Sequence, residues 1–201
     1  MSKLGRPAGP AADTLTTVLT AALELLLTEG GTALTPLRLH QATGVSRSTI
    51  YRHWATPTDV LAALIDVAPG VERSTTGDVV ADLHAEVDLL CDRLRDRPVG
   101  AFLAALVTMA ASDPAAVELR TKYVDDLVEP FRVLARTTGR DDLEVADAIN
   151  AIVAPLVVDS LLLGREAHRD RAHRAVDLYF SAESAESAVA VEADEDASAT
   201  V

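Results

Sequence analysis

At about 150 residues per domain, 201 residues make one large domain or two small ones, which excludes a long multidomain enzyme. With 49% hydrophobic, 24% charged and 3% aromatic residues, the chain can bury a core, built from Leu, Val and Ala. The net charge of −13 disfavours nucleic acid as a whole, but residues 1–66 balance five basic against five acidic side chains, so residues 67–201, with 13 against 26, carry the entire deficit.

Residues 1–12 are rich in Pro and Gly around Lys3 and Arg6 and read as a flexible arm, with a DNA contact by Arg6 as the sharper alternative. Asp13 is the expected N-cap of a first helix, in which Leu15, Val18, Leu19, Ala22, Leu25 and Leu26 recur at helical spacing until Gly30-Gly31. Thr35-Pro36 restarts a helix with proline at its first position, and Gly44 ends it after Thr43. Ser46 caps a further short run, Arg47 to Trp54, so two short helices flank a glycine turn in the manner of a helix-turn-helix. Thr56-Pro57-Thr58-Asp59 then supplies a cap, a first-turn proline and an N3 acid, opening a fourth helix through Leu61, Leu64 and Ile65.

Beyond Pro69-Gly70 the pattern is helical almost throughout. Val79, Val80, Leu83, Val87, Leu90, Cys91 and Leu94 make one face of a helix ending near Arg97-Pro98, and Ala101 to Ala111 makes a shorter apolar one. Asp113-Pro114 caps a long helix expected to bend near Pro130 and end by Gly139. Asp141 or Asp142 opens an apolar helix to Gly164, and a last helix runs from about Arg169 to Phe180. The tail from Ser181 has six acids and no basic residue, the composition of a disordered segment. The expected division is an arm over 1–12, a helix-turn-helix domain over 13–68, a helical domain over 69–182 and an acidic tail over 183–201.

No Asp or Glu occurs from Gly30 to Thr58, while Arg38, His40, Arg47, Arg52 and His53 all fall inside, which marks a surface that meets an anion. On the second short helix, Arg47, Ser48, Thr49, Tyr51, Arg52 and His53 are polar, leaving Val45, Ile50 and Trp54 to face inward. Such a helix fits the major groove, where Arg47 or Arg52 can pair with guanine and Ser48, Thr49 and Tyr51 can hold phosphates. The plain alternative is an ordinary solvated face.

Other chemistries are less well supported. The stretch Val145 to Gly164 is long and apolar enough to suggest a membrane span, but it contains Asp147, Asn150, Pro155 and Asp159. Each central Asp costs about 2.5 to 3.5 kcal/mol in a bilayer, so a buried helix and no membrane contact are expected. The lone Cys91 forms no internal disulfide and reads as core, and the MSKLGRPAGP terminus lacks a secretory h-region, so a cytoplasmic protein is expected. Asp88, Asp92 and Asp96, with arginines beside them, read as a solvated charge-paired face, and Asp125, Asp126 and Glu129 form a second acidic group. His168 and His173, five apart, read as surface residues. The chain has no Glu-x-x-His repeat, no His-Glu-x-x-His, no phosphate-cradling glycine loop and no Gly-x-Ser-x-Gly elbow, so neither an enzyme nor a cofactor or metal is expected.

The stretch LTTVLTAALELLLTEGGTALTPLRLHQATGVSRSTIYRHWATPTDVLAALI, and above all Gly44 to Trp54 within it, resembles the DNA-binding region of TetR-type transcriptional regulators. The resemblance covers about the first third of the chain. It implies an all-α fold, an N-terminal three-helix helix-turn-helix domain joined to a C-terminal helical ligand-binding and dimerisation domain. It places Arg47, Ser48, Thr49, Tyr51, Arg52 and His53 at DNA-facing positions, with Thr35 and Arg38 near the backbone. Two residues depart from the family pattern: Pro57 replaces a phosphate-holding lysine, and His40 replaces a small alanine between the two helices. The resemblance further implies a homodimer on a palindromic double-stranded operator, released by a small-molecule effector; Val145 to Gly164 is too apolar to face water and His168 to Phe180 is amphipathic, so the pair makes the dimer's four-helix seam, or else the apolar helix fills the monomer core. Phe102, Leu106, Met109 and Tyr123 are the candidate pocket walls, or else core, and the acidic domain favours a cationic or neutral effector over an anionic one. The competing reading is a helical ligand-sensing or protein-interaction module whose DNA binding is weak or vestigial, given Pro57.

Overall fold

The computed structural model describes residues 12–68, 72–96 and 98–181, all helix and connecting loop. Apart from Ala12, the expected arm and the acidic tail lie outside the described residues. The helices are α1 (Ala12–Glu29), α2 (Pro36–Thr43), α3 (Arg47–His53), α4 (Pro57–Val67), α5 (Val79–Arg95), α6 (Pro98–Ala110), α7 (Pro114–Arg136), α8 (Asp142–Val157) and α9 (Arg169–Phe180). The described residues form two compact units, those within 1–70 and 101–121 and those within 71–100 and 122–201. The first unit thus takes in most of α6 and the start of α7, a stretch that the linear division assigns to the second domain.

In the first unit, α1 packs on α2 and α4, and α2 on α3. Asp13 lies inside the first turn of α1 rather than capping it, because the helix already begins at Ala12. An acid there still complements the positive end of the helix dipole. Val18, Ala22, Leu34, Leu39, Ile50, Val60 and Leu61 are almost wholly buried. At about 1.5 to 3 kcal/mol for each large apolar side chain, their burial is what holds such short helices together. One short 3-10 turn, Gly31–Ala33, joins α1 to α2, and it needs glycine for space: a Cβ on Gly31 would stand 2.7 Å from the Ala105 Cβ of α6. Thr58 is also tied to this added stretch, its hydroxyl donating to Asp113 Oδ2 at 2.5 Å.

The second unit packs α8 on α5 and α9, and α5 on α9. Segment Asp142–Leu162 is long and apolar enough to cross a membrane by length and composition alone. Its Val145, Ala148, Ile149, Ile152, Val153 and Leu156 are buried inside the unit, while Asp147 and Asn150 face outward. Pro155, which has no N–H, lies inside α8, and beyond it the chain widens into one π turn over Val158–Leu162, closed by the Leu163 amide on the Val158 carbonyl at 3.1 Å. Helix α7, by contrast, runs unbroken past Pro130.

The acidic face of α5 is charge-paired in part within its own helix, Arg95 to Asp92 at 2.9 Å and to the exposed Asp96 at 3.6 Å, and in part with α9. Asp92 accepts from Arg169 at 2.7 Å, and Asp88 lies 2.8 Å from His173 Nε2 and 3.3 Å from Arg169, so these acids join α5 to α9. His173 is therefore a packing residue, stacked on His84 with ring centroids 4.5 Å apart, and not the surface histidine that its spacing suggests. Cys91 is buried on the inner face of α5, and burial pushes its thiol pKa up despite Arg169.

Candidate nucleic-acid interface

Three side-chain caps fix the reading region. Thr35 Oγ1 accepts the Arg38 amide at 3.3 Å and opens α2, whose end is set by Gly44 in the left-handed conformation, φ 70°. Ser46 Oγ accepts the Thr49 amide at 3.2 Å and opens α3 two residues later. Thr56 and Asp59 exchange bonds, Asp59 amide to Thr56 Oγ1 at 3.1 Å and Thr56 amide to Asp59 Oδ2 at 2.9 Å, which closes a capping box on α4. Each cap contributes about 1 kcal/mol, and together they bound α3 at a length of seven residues.

Helix α3 is anchored from one side only. Ile50 is 1% exposed and Trp54, just past the end, is 8% exposed. Opposite them, Arg47, Ser48, Tyr51 and Arg52 fall at i, i+1, i+4 and i+5, along one outward stripe, and all four are exposed. His53 is exposed on the flank of that stripe, its ring 5.6 Å from Trp54. Thr49 is half-buried, its hydroxyl 2.8 Å from Ser46 Oγ, so it serves the cap as much as the face. Among the described residues neither Arg47 nor Arg52 has an ion-pair partner, as expected where the sequence has no acid for 29 residues, Gly30 to Thr58.

Arg38 differs. Its guanidinium donates to the Glu29 carboxylate at the end of α1, an exposed pair that closes over the Gly30-Gly31 bend. Five N–H donors allow it to hold Glu29 and a phosphate together, but its charge is partly spent. Thr35, also spent on its cap, keeps a hydroxyl proton to donate.

The family model described as "Tetracyclin repressor-like, C-terminal domain" matches residues 74–179, more than half of the chain. The chain belongs to the TetR family. Its fold is similar to that of a TetR transcriptional regulator from Agrobacterium tumefaciens, at 23% identity and TM-score 0.67, over 85% of this chain and 94% of that one. It is also similar to the TetR family transcription regulator SCO0332, at 25% identity and TM-score 0.58, over 83% of this chain and 97% of that one. No curated protein sequence matches. The TetR-family fold supports a DNA-binding transcription regulator.

Within that family, His40 is explained by the turn it spans. Its Nδ1 lies 2.8 Å from the Val45 carbonyl, and the ring is half-buried. A donor there satisfies a carbonyl that neither α2 nor α3 can reach, so the residue braces the glycine turn instead of crowding the helices. Pro57 sits at the first position of α4, where its fixed φ suits the helix and its missing N–H costs nothing. It contributes no charge.

Of the four candidate pocket residues, Phe102, Leu106 and Met109 are buried in the first unit, and Tyr123 is half-buried in the second, where desolvation pushes its phenol pKa up to about 12 against the pull of Arg93.

Proposed function

We propose that this TetR-family regulator is a cytoplasmic repressor that binds a palindromic operator as a homodimer and is released by a small molecule. The observation that carries the DNA-binding site is the outward stripe of α3, two arginines without ion-pair partners among the described residues beside the Ser48 and Tyr51 hydroxyls, on a helix held from behind by Ile50 and Trp54. Arg47 or Arg52 reads guanine, while Ser48, Thr49, Tyr51, His53, Thr35 and Arg38 position the helix on the backbone.

The dimer reading is supported by apolar side chains left outside on α8, its π turn and α9. Leu143 is 71% exposed, Leu162 77% and Leu178 72%, apolar surface that a second copy can cover. Seating those two helices against their copies makes a four-helix seam, and a two-fold axis sets the reading helices about 34 to 36 Å apart, one turn of DNA.

The competing reading, a sensing module with vestigial DNA binding, draws on Pro57 and on the partial use of Arg38 by Glu29. Selection of genomic fragments by the purified protein decides between them. Enrichment of a palindrome, weakened steeply by salt, establishes the repressor's operator. Absence of enrichment at low salt removes it and favours the module.

A further inference from the structure

The second unit holds a cavity of about 560 Å³, within the range of small-molecule sites. It lies between the segment 72–75, the first half of α5 and the second half of α7. Leu89, Pro130, Val133 and Leu134 supply an apolar wall, and Val133 is an exposed apolar residue with no other evident use. The polar lining is of one sign: Glu72, Asp82, Glu86, Asp126 and Glu129 against the single cation Arg73.

Those acids are not equivalent. Asp82 is spent on the chain: Oδ1 accepts from the Thr76 amide and hydroxyl, both at 2.8 Å, and Oδ2 from the Gly77 amide at 3.3 Å. These bonds hold its pKa below the ordinary carboxylate range and fix the segment that forms one side of the cavity. Glu86, mostly buried, holds Arg73, Nε to Oε1, at 2.8 Å. The wall therefore already binds one organic cation, supplied by the chain itself. Glu72 and Glu129 remain exposed at the lining, Glu129 reached only at 3.5 Å by Arg132, while Asp126 is paired with Lys122 at 2.7 Å. An anion entering here meets several like charges, and a neutral ligand covers carboxylates without compensating them. A cation with an apolar body satisfies both parts of the wall.

We propose that this cavity binds an amphipathic organic cation, its apolar body against Leu89, Pro130, Val133 and Leu134 and its charge toward Glu86, Glu129 and Glu72. The inference rests on the ligand-responsive reading above and gives the effector its chemical class. Arg73 is an internal competitor for Glu86, so removing it strengthens binding.

The test titrates the full-length protein by calorimetry with tetraphenylphosphonium and, separately, with tetraphenylborate, an ion of the same shape and opposite charge. The expected result is saturable binding of one phosphonium per chain and none of the borate. Replacing both exposed acids, Glu72→Gln with Glu129→Gln, weakens it at least fivefold, and Arg73→Ala tightens it. No saturable phosphonium binding, equal binding of the two ions, or unchanged affinity in the double variant overturns the proposal. Fragment retention is read on the same preparations. Protein that retains DNA without binding phosphonium loses the cavity proposal alone, whereas protein that binds phosphonium without retaining DNA loses the repressor reading alone.

Discussion

Replacing Arg47 by alanine separates reading from positioning. Arg47 is exposed on the outward stripe of α3 and has no ion-pair partner among the described residues, so truncation removes nothing that holds the fold. Its effect on stability is expected within about 0.5 kcal/mol of zero, as for other surface sites without a partner. On DNA the effect is larger. A bidentate arginine–guanine pair is worth about 1 to 3 kcal/mol, or about 5- to 150-fold in affinity for each half-site, and a palindrome contains two. Non-specific DNA loses only the phosphate share. Arg52→Ala, by contrast, weakens operator and random DNA alike and lowers the salt slope by about 0.9 for each phosphate that is no longer neutralised. The assay is fluorescence anisotropy with the selected operator and a scrambled duplex at two salt concentrations, with urea unfolding as the control for structure. Equal weakening for Arg47→Ala on both duplexes, at unchanged stability, refutes its assignment as the reading residue.

Pro57→Lys restores a cation at the first position of α4 while leaving the Thr56–Asp59 box intact, so DNA binding should tighten and its salt slope steepen by about 0.9 for each phosphate newly neutralised; unchanged binding in anisotropy removes α4 from the interface. Gly31→Ala places a Cβ 2.7 Å from Ala105 Cβ and 3.1 Å from Met109 sulfur, an overpacking expected to cost about 1 to 3 kcal/mol by urea unfolding. Adding Ala105→Gly should recover part of that stability, and strictly additive effects refute the close approach. Asp82→Asn addresses the cavity's edge. The Thr76 amide and its neighbours lower the Asp82 pKa, so its stabilisation is present above the unfolded pKa of about 4 and lost as pH falls through the lower folded value. The urea midpoints of wild type and variant should therefore differ at neutral pH and converge in acid; a constant gap contradicts the linkage.

The parts of this fold legible in the sequence are those written in local hydrogen bonds. Thr35, Ser46 and Thr56 cap the helices that their spacing predicts, Gly44 takes the left-handed turn, and Asp141 closes a capping box with Glu144. Periodicity also finds the core of α5, with Leu83, Val87, Leu90 and Leu94 buried on one face. What periodicity lacks is the identity of the facing helix. Asp92 keeps the self-pairing that the sequence suggests, with Arg95 at 2.9 Å, and what the sequence leaves out is the packing of α5 on α9, which adds Arg169 to Asp92 and gives Arg169 and His173 to Asp88. The same limit hides the union of Gly31 with Ala105 and the cavity, whose walls come from segments about 40 residues apart in sequence. A signal was available for one of these: Gly31 follows a glycine that already ends α1, so a second glycine pointed to a need for space.

An acidic regulator can grip a polyanion because charge acts over short distances in salt. At physiological ionic strength the screening length is about 8 Å, so a phosphate beside α3 responds to the side chains on that face and little to the −13 total. The distribution of partners sharpens this. In the second unit Arg73, Arg132 and Arg169 are each held by carboxylates, whereas the 29 residues around α2 and α3 contain no acid to neutralise Arg47 and Arg52. The remaining acidity acts at long range only when salt is low, where it slows association with DNA and opposes the local attraction. Operator association by this chain should therefore show a flatter rise on dilution of salt than its phosphate pairing alone predicts, and neutralising acids in the second unit should restore the slope without changing the operator sequence that is read.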